Sequence, residues 1–464
     1  MAAPSSPPPA FAEQLVREAL AAGFADFTPA TVDKARLCLV DFLSCALEAR
    51  DLPWSSQARA VAVRGGQEFA MVGHGFAGSA GDAAFVNGVA GHGLVREDMH
   101  AGSIAHLGVV VWPALLAQAA RQPLSGSQFL AAAIVGYEVG ARLGRALMTA
   151  ELARLYRPTG LIGAPAAVMA LASAAGLQAD AAVNAFSLAA NTVAGLNQWP
   201  HTGGSEMYFH PGFAARNAVL AFDLARAGAL ASASILEGEA GLFAAYVRRP
   251  LSAAVRLFGE AEPEIMAVFN KEVPACNFAQ TPCQAALLAA REVPAGAAIA
   301  RVEVFVTAAA ERYPGCNATG PFELALQAKM SIPFGVAATL ARGEIAEANY
   351  ARLRDGAIER LIGHTELIVD PALSAAFPAR QGARVRLTLD TGAVIERALD
   401  DVIPASPELI VERFMTNARA AWGEDHAEAV RKYIFEMETQ TDLRALNAML
   451  SRAAGAASDT GETA

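Results

Sequence analysis

Between residues 85 and 113 the chain reads FVNGVAGHGLVREDMHAGSIAHLGVVVWP, which sets three histidines (His92, His100 and His106) and the acids Glu97 and Asp98 into a segment with apolar flanks. Four of the chain's eight histidines fall between His74 and His106. Imidazoles titrate near neutral pH, and a titratable pocket in an apolar wall is where proton transfer is usually found. If the first part of the segment is helical, His92, Arg96 and His100 recur at one-turn spacing and share a face, with Glu97 and Asp98 rotated away from it. His106 is the first choice for a general acid or base and His100 the reserve. Any one histidine beside an apolar run has an alternative role as a hydrogen-bonded packing residue; the clustering is what favours function. No i, i+4 His-Glu zinc pattern and no CxxC accompanies them, so acid–base work without metal or cofactor is expected.

Positioning such a site takes a large scaffold, and 464 residues suggest two domains. The 54% apolar, 7% aromatic composition is inflated by alanine, which points to closely packed helices. A net charge of −10 gives no support for binding nucleic acid or an acidic membrane, leaving small molecules or further copies of the chain as partners. Five scattered cysteines without metal spacing predict free thiols and a cytoplasmic address. Residues 1 to 10 read as a disordered lead-in without a signal peptide, and GAASDTGETA at the end reads as a solvated tail. The apolar run 104–120, broken by Pro113, is shorter than the roughly 20 residues of a membrane span and reads as a core helix.

A helical period dominates residues 11–262. Thr28 caps a helix over 32–49, and further helices are expected at 81–94, 107–121, 126–148, 160–175, 179–196, 211–228 and 239–246, with a loop around 198–210. From 263 to 402 the pattern is that of a small α/β unit. RVEVFVT at 301–307 alternates, ELIVD at 366–370 is a second strand, and 384–399 forms a hairpin turning at Asp390-Thr391-Gly392; helices are expected at 283–291 and 322–341. Helices return over 403–455, at 408–421, 423–434 and 440–453. The expected fold is mainly α, a large all-α helical domain with a smaller α/β lid domain. Trp199, His201, Glu206, Tyr208 and His210 crowd NQWPHTGGSEMYFHPG, where His201 and Glu206 are candidates for substrate specificity. GLIGAPAAV lacks a P-loop ending and AGSIAH lacks a GxSxG elbow.

The order of several blocks resembles the MmgE/PrpD family, which includes 2-methylcitrate dehydratases, cis-aconitate decarboxylases and iminodisuccinate epimerases. The blocks are AAFVNGVAGH at 83–92, His106 with Pro113, RPTGLIGAPAAV at 157–168, HPGFAARNAV at 210–219, LEGEAGLFAAY at 236–246, KEVPAC at 271–276 and QAKMSIPFGVA at 327–337. The resemblance implies a helical domain completed by returning C-terminal helices, a lid, a cleft between them and a homodimer. It also places His106, Lys271 and Tyr313 at positions the family uses. The site motif departs from its relatives' HxxDFDDT: Val95 stands at the first Asp place and Met99 at the Thr place, Arg157 replaces a histidine before proline, and Met207 replaces a lysine.

Those exchanges put at Arg157 a guanidinium that cannot give up its proton but can grip a carboxylate, with a structural ion pair as the alternative. Lys271 would hold a second carboxylate, and Arg96 joins the substrate-binding candidates. Tyr313 would exchange a proton from the lid, or else pack at its turn. Cys276 is a further substrate-contact candidate, although it and Cys316 suit inert small hydrophobes better than nucleophiles. The expected activity is that of a cofactor-independent lyase, a dehydratase or decarboxylase, which removes a proton next to a carboxylate of a small di- or tricarboxylic acid. An epimerase or isomerase of an amino or imino dicarboxylate, and a binding or scaffold protein without catalysis, are the alternatives.

Overall fold

The computed structural model describes residues 9–63, 68–259 and 261–453. Most of the lead-in (1–8) and the whole predicted tail lie outside the described residues. Thr28 caps α1 (Pro29–Glu48), its hydroxyl accepting from Thr31 N at 3.2 Å. Three helices follow whose sides are nearly all apolar or small: α2 (Ala80–His92), α3 (Gly108–Arg121) and, after α4 (Gly126–Leu147), α5 (Pro158–Ala174). A helix without a polar face must be covered all round, and α5 packs against α3, α4 and α6 (Glu206–Arg226).

Glycines set how closely these axes approach. A methyl at Gly140 on α4 would stand 2.8 Å from Ala166 Cβ on α5, and one at Gly88 on α2 would stand 3.0 Å from Gly212 Cα on α6. After the smaller domain the chain returns as α9 (Pro407–Trp422), which lies on α1 and ties to it through Asn417 Nδ2 and Glu48 Oε2 at 3.0 Å. Ile410, Phe414 and Ala418 of α9 thereby enter the same core as Leu39, Phe42 and Leu43.

The smaller, sheet-bearing domain, the expected lid, has its own core, which includes Val302, Val304, Val385 and Leu387. Its sheet runs in the order β2 (Thr365–Val369), β1 (Ile299–Val306), β3 (Ala383–Leu389), β4 (Val394–Leu399). β1 pairs parallel with β2 and antiparallel with β3, and the hairpin turns through Gly392 at φ 82°. Two helices, α7 (Gln280–Ala290) and α8 (Ile332–Arg342), cover the lid core. Large helical domain and small sheet-bearing domain together make a mainly α chain. Among the described residues no helix is long and apolar enough to cross a membrane.

Several expected elements are corrected. α2 ends at His92 with Gly93 as its C-cap, and Met99–His100 is a short strand paired with Val268–Phe269, so His92, Arg96 and His100 do not share a helical face. Between them Val95 adopts φ 59°, a left-handed turn that no helix continues through. The helix expected at 322–341 is two, Ala325–Met330 and α8, split where Ser331 caps the second. The helix expected at 179–196 stops at Ala190, the one at 440–453 is confined to Arg444–Leu450, and residues 199–202 with α6 fill most of the expected loop around 198–210. Pro113 sits inside α3 without ending it.

Candidate active site

Beyond the end of α2 the chain makes the Val95 turn, runs antiparallel to Val268–Phe269, and re-enters the helical body at α3. That excursion puts residues 92–106 at the boundary of the two cores, against the segment that leads into the lid. Lys271, two residues past the ribbon, is fully buried there, and its Nζ donates to the carbonyls of Val95 and Ala275, the latter at 2.6 Å.

A cavity of about 890 Å³ opens at this boundary, and His100, His106, Arg157, Lys271, Cys276 and Tyr313 all line it. Trp199, Met207, Val95, Met99 and Met330 give it apolar walls. Arg96 and His201 are not among its walls. Arg96 pairs with Glu48 of α1 at 2.7 Å, and His201 is exposed on the short helix Trp199–Thr202.

Glu97 lies behind the cavity wall. Its Oε1 accepts from His92 Nδ1 at 2.5 Å and lies 3.0 Å from His106 Nδ1. His106 Nδ1 also reaches the Asp98 carbonyl oxygen at 2.8 Å. A carbonyl only accepts, so Nδ1 carries the proton and Nε2 is left with its lone pair, which has no partner among the described residues. His92 is in the same tautomer, because its Nε2 accepts from Arg157 Nη2 at 3.2 Å. Burial lowers the His106 imidazole to about 4 and lowers His92 as well, so both rings are neutral near pH 7. Burial works against ionising Glu97, but the two imidazoles that face it, His92 and His106, outweigh burial and hold the carboxyl well below its usual range.

Arg157 is buried, its guanidinium 5.4 Å from the centre of the Trp199 ring, and its Nε is buried without a hydrogen-bond partner. Neither Arg157 nor Lys271 forms an ion pair with a carboxylate among the described residues. Burial lowers both, Lys271 to about 8, and each remains cationic at neutral pH. Burial keeps the Tyr313 phenol protonated, raised from its ordinary value, and its ring packs on Phe278 with centroids 5.5 Å apart.

His100 is fully engaged. Its Nδ1 accepts from Ser103 N at 3.0 Å, so the proton is on Nε2, which donates to Glu264 at 2.9 Å. With no free lone pair in this arrangement, His100 fits a fixed wall residue better than a base. Glu97 was not singled out from sequence for this place, because the helical-face argument turned it away from the histidines. Met207 was marked as the stand-in for a lysine of the family's site motif and Trp199 only as part of a crowded loop, and both line the cavity. Among the described residues no group of three or more His, Cys, Asp or Glu is placed to hold a metal ion.

The site can hold a small anion between Arg157 and Lys271 and present to it one unprotonated ring nitrogen. Comparison with known proteins identifies the family. Residues 13–253 match the MmgE/PrpD N-terminal domain and residues 273–438 the MmgE/PrpD C-terminal domain. A cis-aconitate decarboxylase-like protein of Aspergillus oryzae is 29% identical over 228 residues, 47% of each chain. A cis-aconitate decarboxylase of Aspergillus terreus is 29% identical over 230 residues, 47% of this chain and 46% of its own. The aligned part thus spans about half the length of these two relatives. Another cis-aconitate decarboxylase, of Aspergillus terreus strain NIH 2624, is 23% identical over 462 residues, covering 92% of this chain and 93% of its own. With both halves of the chain matched in order, the protein belongs to the MmgE/PrpD family.

Proposed function

We propose that the protein is a cofactor-independent lyase that removes a proton next to a carboxylate of a small di- or tricarboxylic acid and expels water or carbon dioxide. The observation that carries this reading is the pair of buried cations, Arg157 and Lys271, without carboxylate partners, facing the same cavity as the lone pair of His106. An uncompensated buried charge is costly, and a protein that keeps two of them in one cavity is arranged for an anion that arrives from outside.

In this reading Arg157 grips one carboxylate through its guanidinium fork and Lys271 holds a second. His106 Nε2 takes the proton, Glu97 stabilises the imidazolium through Nδ1, and the Tyr313 hydroxyl supplies a proton to the leaving group or the product carbon. The cations stabilise the enolate-like charge as it develops. The bound carboxylates also raise the His106 imidazole from its low value, which strengthens the base only when substrate is present. The relatives named as cis-aconitate decarboxylases make tricarboxylates of that kind the first compounds to try.

The test is turnover of a panel of di- and tricarboxylic acids, cis-aconitate included, by the wild type and by His106→Gln. The expected result is release of water or carbon dioxide from one member, reduced about 10²- to 10⁴-fold in the variant with the fold intact. Full activity in His106→Gln would remove the base from the mechanism. Deuterium entering recovered substrate without an eliminated product would replace the lyase with an epimerase. Compounds that raise the melting temperature but never react would make the chain a binding protein.

A further inference from the structure

The cavity wall contains two thiols that the proposed proton transfer does not use. Cys276 Sγ and Cys316 Sγ are 3.7 Å apart, on loops 40 residues apart in sequence. Both loops are laced to one short stretch of backbone: Cys276 N donates to Lys329 O at 2.9 Å, and Ile332 N donates to Cys316 O at 2.9 Å. That shared support holds the two sulfurs side by side, with no regular element between them. Cys276 lines the cavity, whereas Cys316 is wholly buried behind it, so a small solute can reach the first sulfur only.

We propose that Cys276 and Cys316 form a redox-modification site, in which a small peroxide oxidises the cavity-facing Cys276 and Cys316 then closes a disulfide with it. In the first step the Cys276 thiolate attacks the peroxide oxygen. The O–O bond breaks, sulfur is oxidised to a sulfenic acid, and the other peroxide oxygen leaves as hydroxide, which takes up the proton given up by the Cys276 thiol and becomes water. In the second step Cys316 sulfur attacks the sulfenic sulfur, the S–S bond forms, and hydroxide leaves and takes up the Cys316 proton as a second water. The sulfurs need to close from 3.7 Å to about 2.05 Å, a movement within reach of two loop side chains.

Nearby charge favours the first step. The Cys316 S–H donated to Cys276 is the main influence lowering that thiol to about 7; burial opposes it, while Phe278 N–H and the cations of Lys271 and Arg157 act in the same direction as Cys316. Burial and the neighbouring Cys276 raise Cys316 from its ordinary value, so it is the resolving thiol rather than the attacking one. The remaining thiols stand apart: Cys38, Cys45 and Cys283 are buried, and burial raises each of them.

The consequence falls on the site. Lys271 donates to the Ala275 carbonyl next to Cys276, and Cys316 N donates to the Tyr313 carbonyl at 3.0 Å. A disulfide therefore ties the Lys271 loop to the Tyr313 turn and removes a thiolate from the cavity wall. The inference does not depend on the proposed reaction, because its readout is the thiols themselves.

The experiment treats the fully reduced, full-length protein with hydrogen peroxide in stoichiometric steps, then counts free thiols and maps peptides under non-reducing conditions. Loss of two of the five thiols is expected, with the peptides holding Cys276 and Cys316 joined and separated again by dithiothreitol. Cys316→Ser is expected to stop at a sulfenic acid on Cys276 that dimedone traps, and Cys276→Ser to keep its remaining thiols. Oxidation of Cys276 in the wild type to sulfinic or sulfonic acid without a cross-link would overturn the proposal, as would retention of all five thiols. The wild-type count decides the matter even if a variant fails to fold.

Discussion

Glu97 is the residue on which the site's electrostatics turn, because one carboxylate oxygen faces the Nδ1 of two imidazoles. Two limbs follow in the pH dependence of kcat/KM for the free enzyme. Activity rises as pH climbs through about 4, where His106 loses its proton, and falls through about 8, where Lys271 loses its charge. The kcat profile has its acid limb at higher pH, since bound carboxylates favour the imidazolium; the two profiles measured side by side check this. In Glu97→Gln the negative charge opposite the ring is gone, so the acid limb of kcat/KM moves below that of the wild type while kcat drops about 10²-fold or more. A variant with reduced kcat and an unmoved limb would show Glu97 acting through packing alone. Histidine clustering made the segment visible in the sequence. Which ring is free was not visible, because that depends on the Asp98 carbonyl and Ser103 N–H, groups every residue carries.

Several elements of the helical body meet at close backbone approaches. Gly126, the first residue of α4, shows this away from the cavity: a methyl there would stand 1.7 Å from the Met437 carbonyl oxygen, and its N–H donates to Gln440 O at 2.9 Å. Gly126→Ala is therefore expected to push the C-terminal segment off the helical body and lower stability by about 1–3 kcal/mol, with the activity of the folded fraction unchanged. Denaturant midpoints together with kcat check both halves of that statement. Element type was legible in the sequence wherever a period or a cap repeated: Thr28 before α1, the alternation of Val302, Val304 and Val306, and the Gly392 turn. The stretch from Gly93 to Leu107 was not, because a helical spacing of His92, Arg96 and His100 is also compatible with the Val95 turn and ribbon that replace it. The pairing with Val268–Phe269 settles the matter, and no local propensity encodes a partner nearly 170 residues away.

At the scale of the whole molecule, the site is formed where two cores meet, and its buried ionisable groups make stability depend on pH. His106 is at about 4 in the folded chain, below an ordinary imidazole, so as pH falls from about 6.5 the unfolded chain takes up a proton first. Its contribution is complete above that range and is lost on the way down to about 4, about 3 kcal/mol in all. Asp98 works the other way, since burial raises it to about 7 and it is protonated in the folded chain before the unfolded one. The measurement that isolates His106 is the difference in unfolding free energy between wild type and His106→Gln at pH 7 and pH 4. The wild type is expected to lose about 3 kcal/mol relative to the variant over that interval. A polycarboxylate at a hundred times its Kd is expected to add about 2.7 kcal/mol to the wild type. It should add much less to Lys271→Met, which lacks one of the two cations.

The sequence by itself determined the family, the division into a helical body and a sheet-bearing unit, and the segment that carries the imidazoles. Periodicity, capping and ordered motifs are local properties, and they survive being read one residue after another. Only the tertiary structure decided that His106 has the free lone pair, that Arg96 belongs to Glu48 instead of the cavity, and that Cys276 lies against Cys316. Those are contacts between distant segments, set by how closely Gly- and Ala-rich helices pack and by where the lid-entry strand pairs.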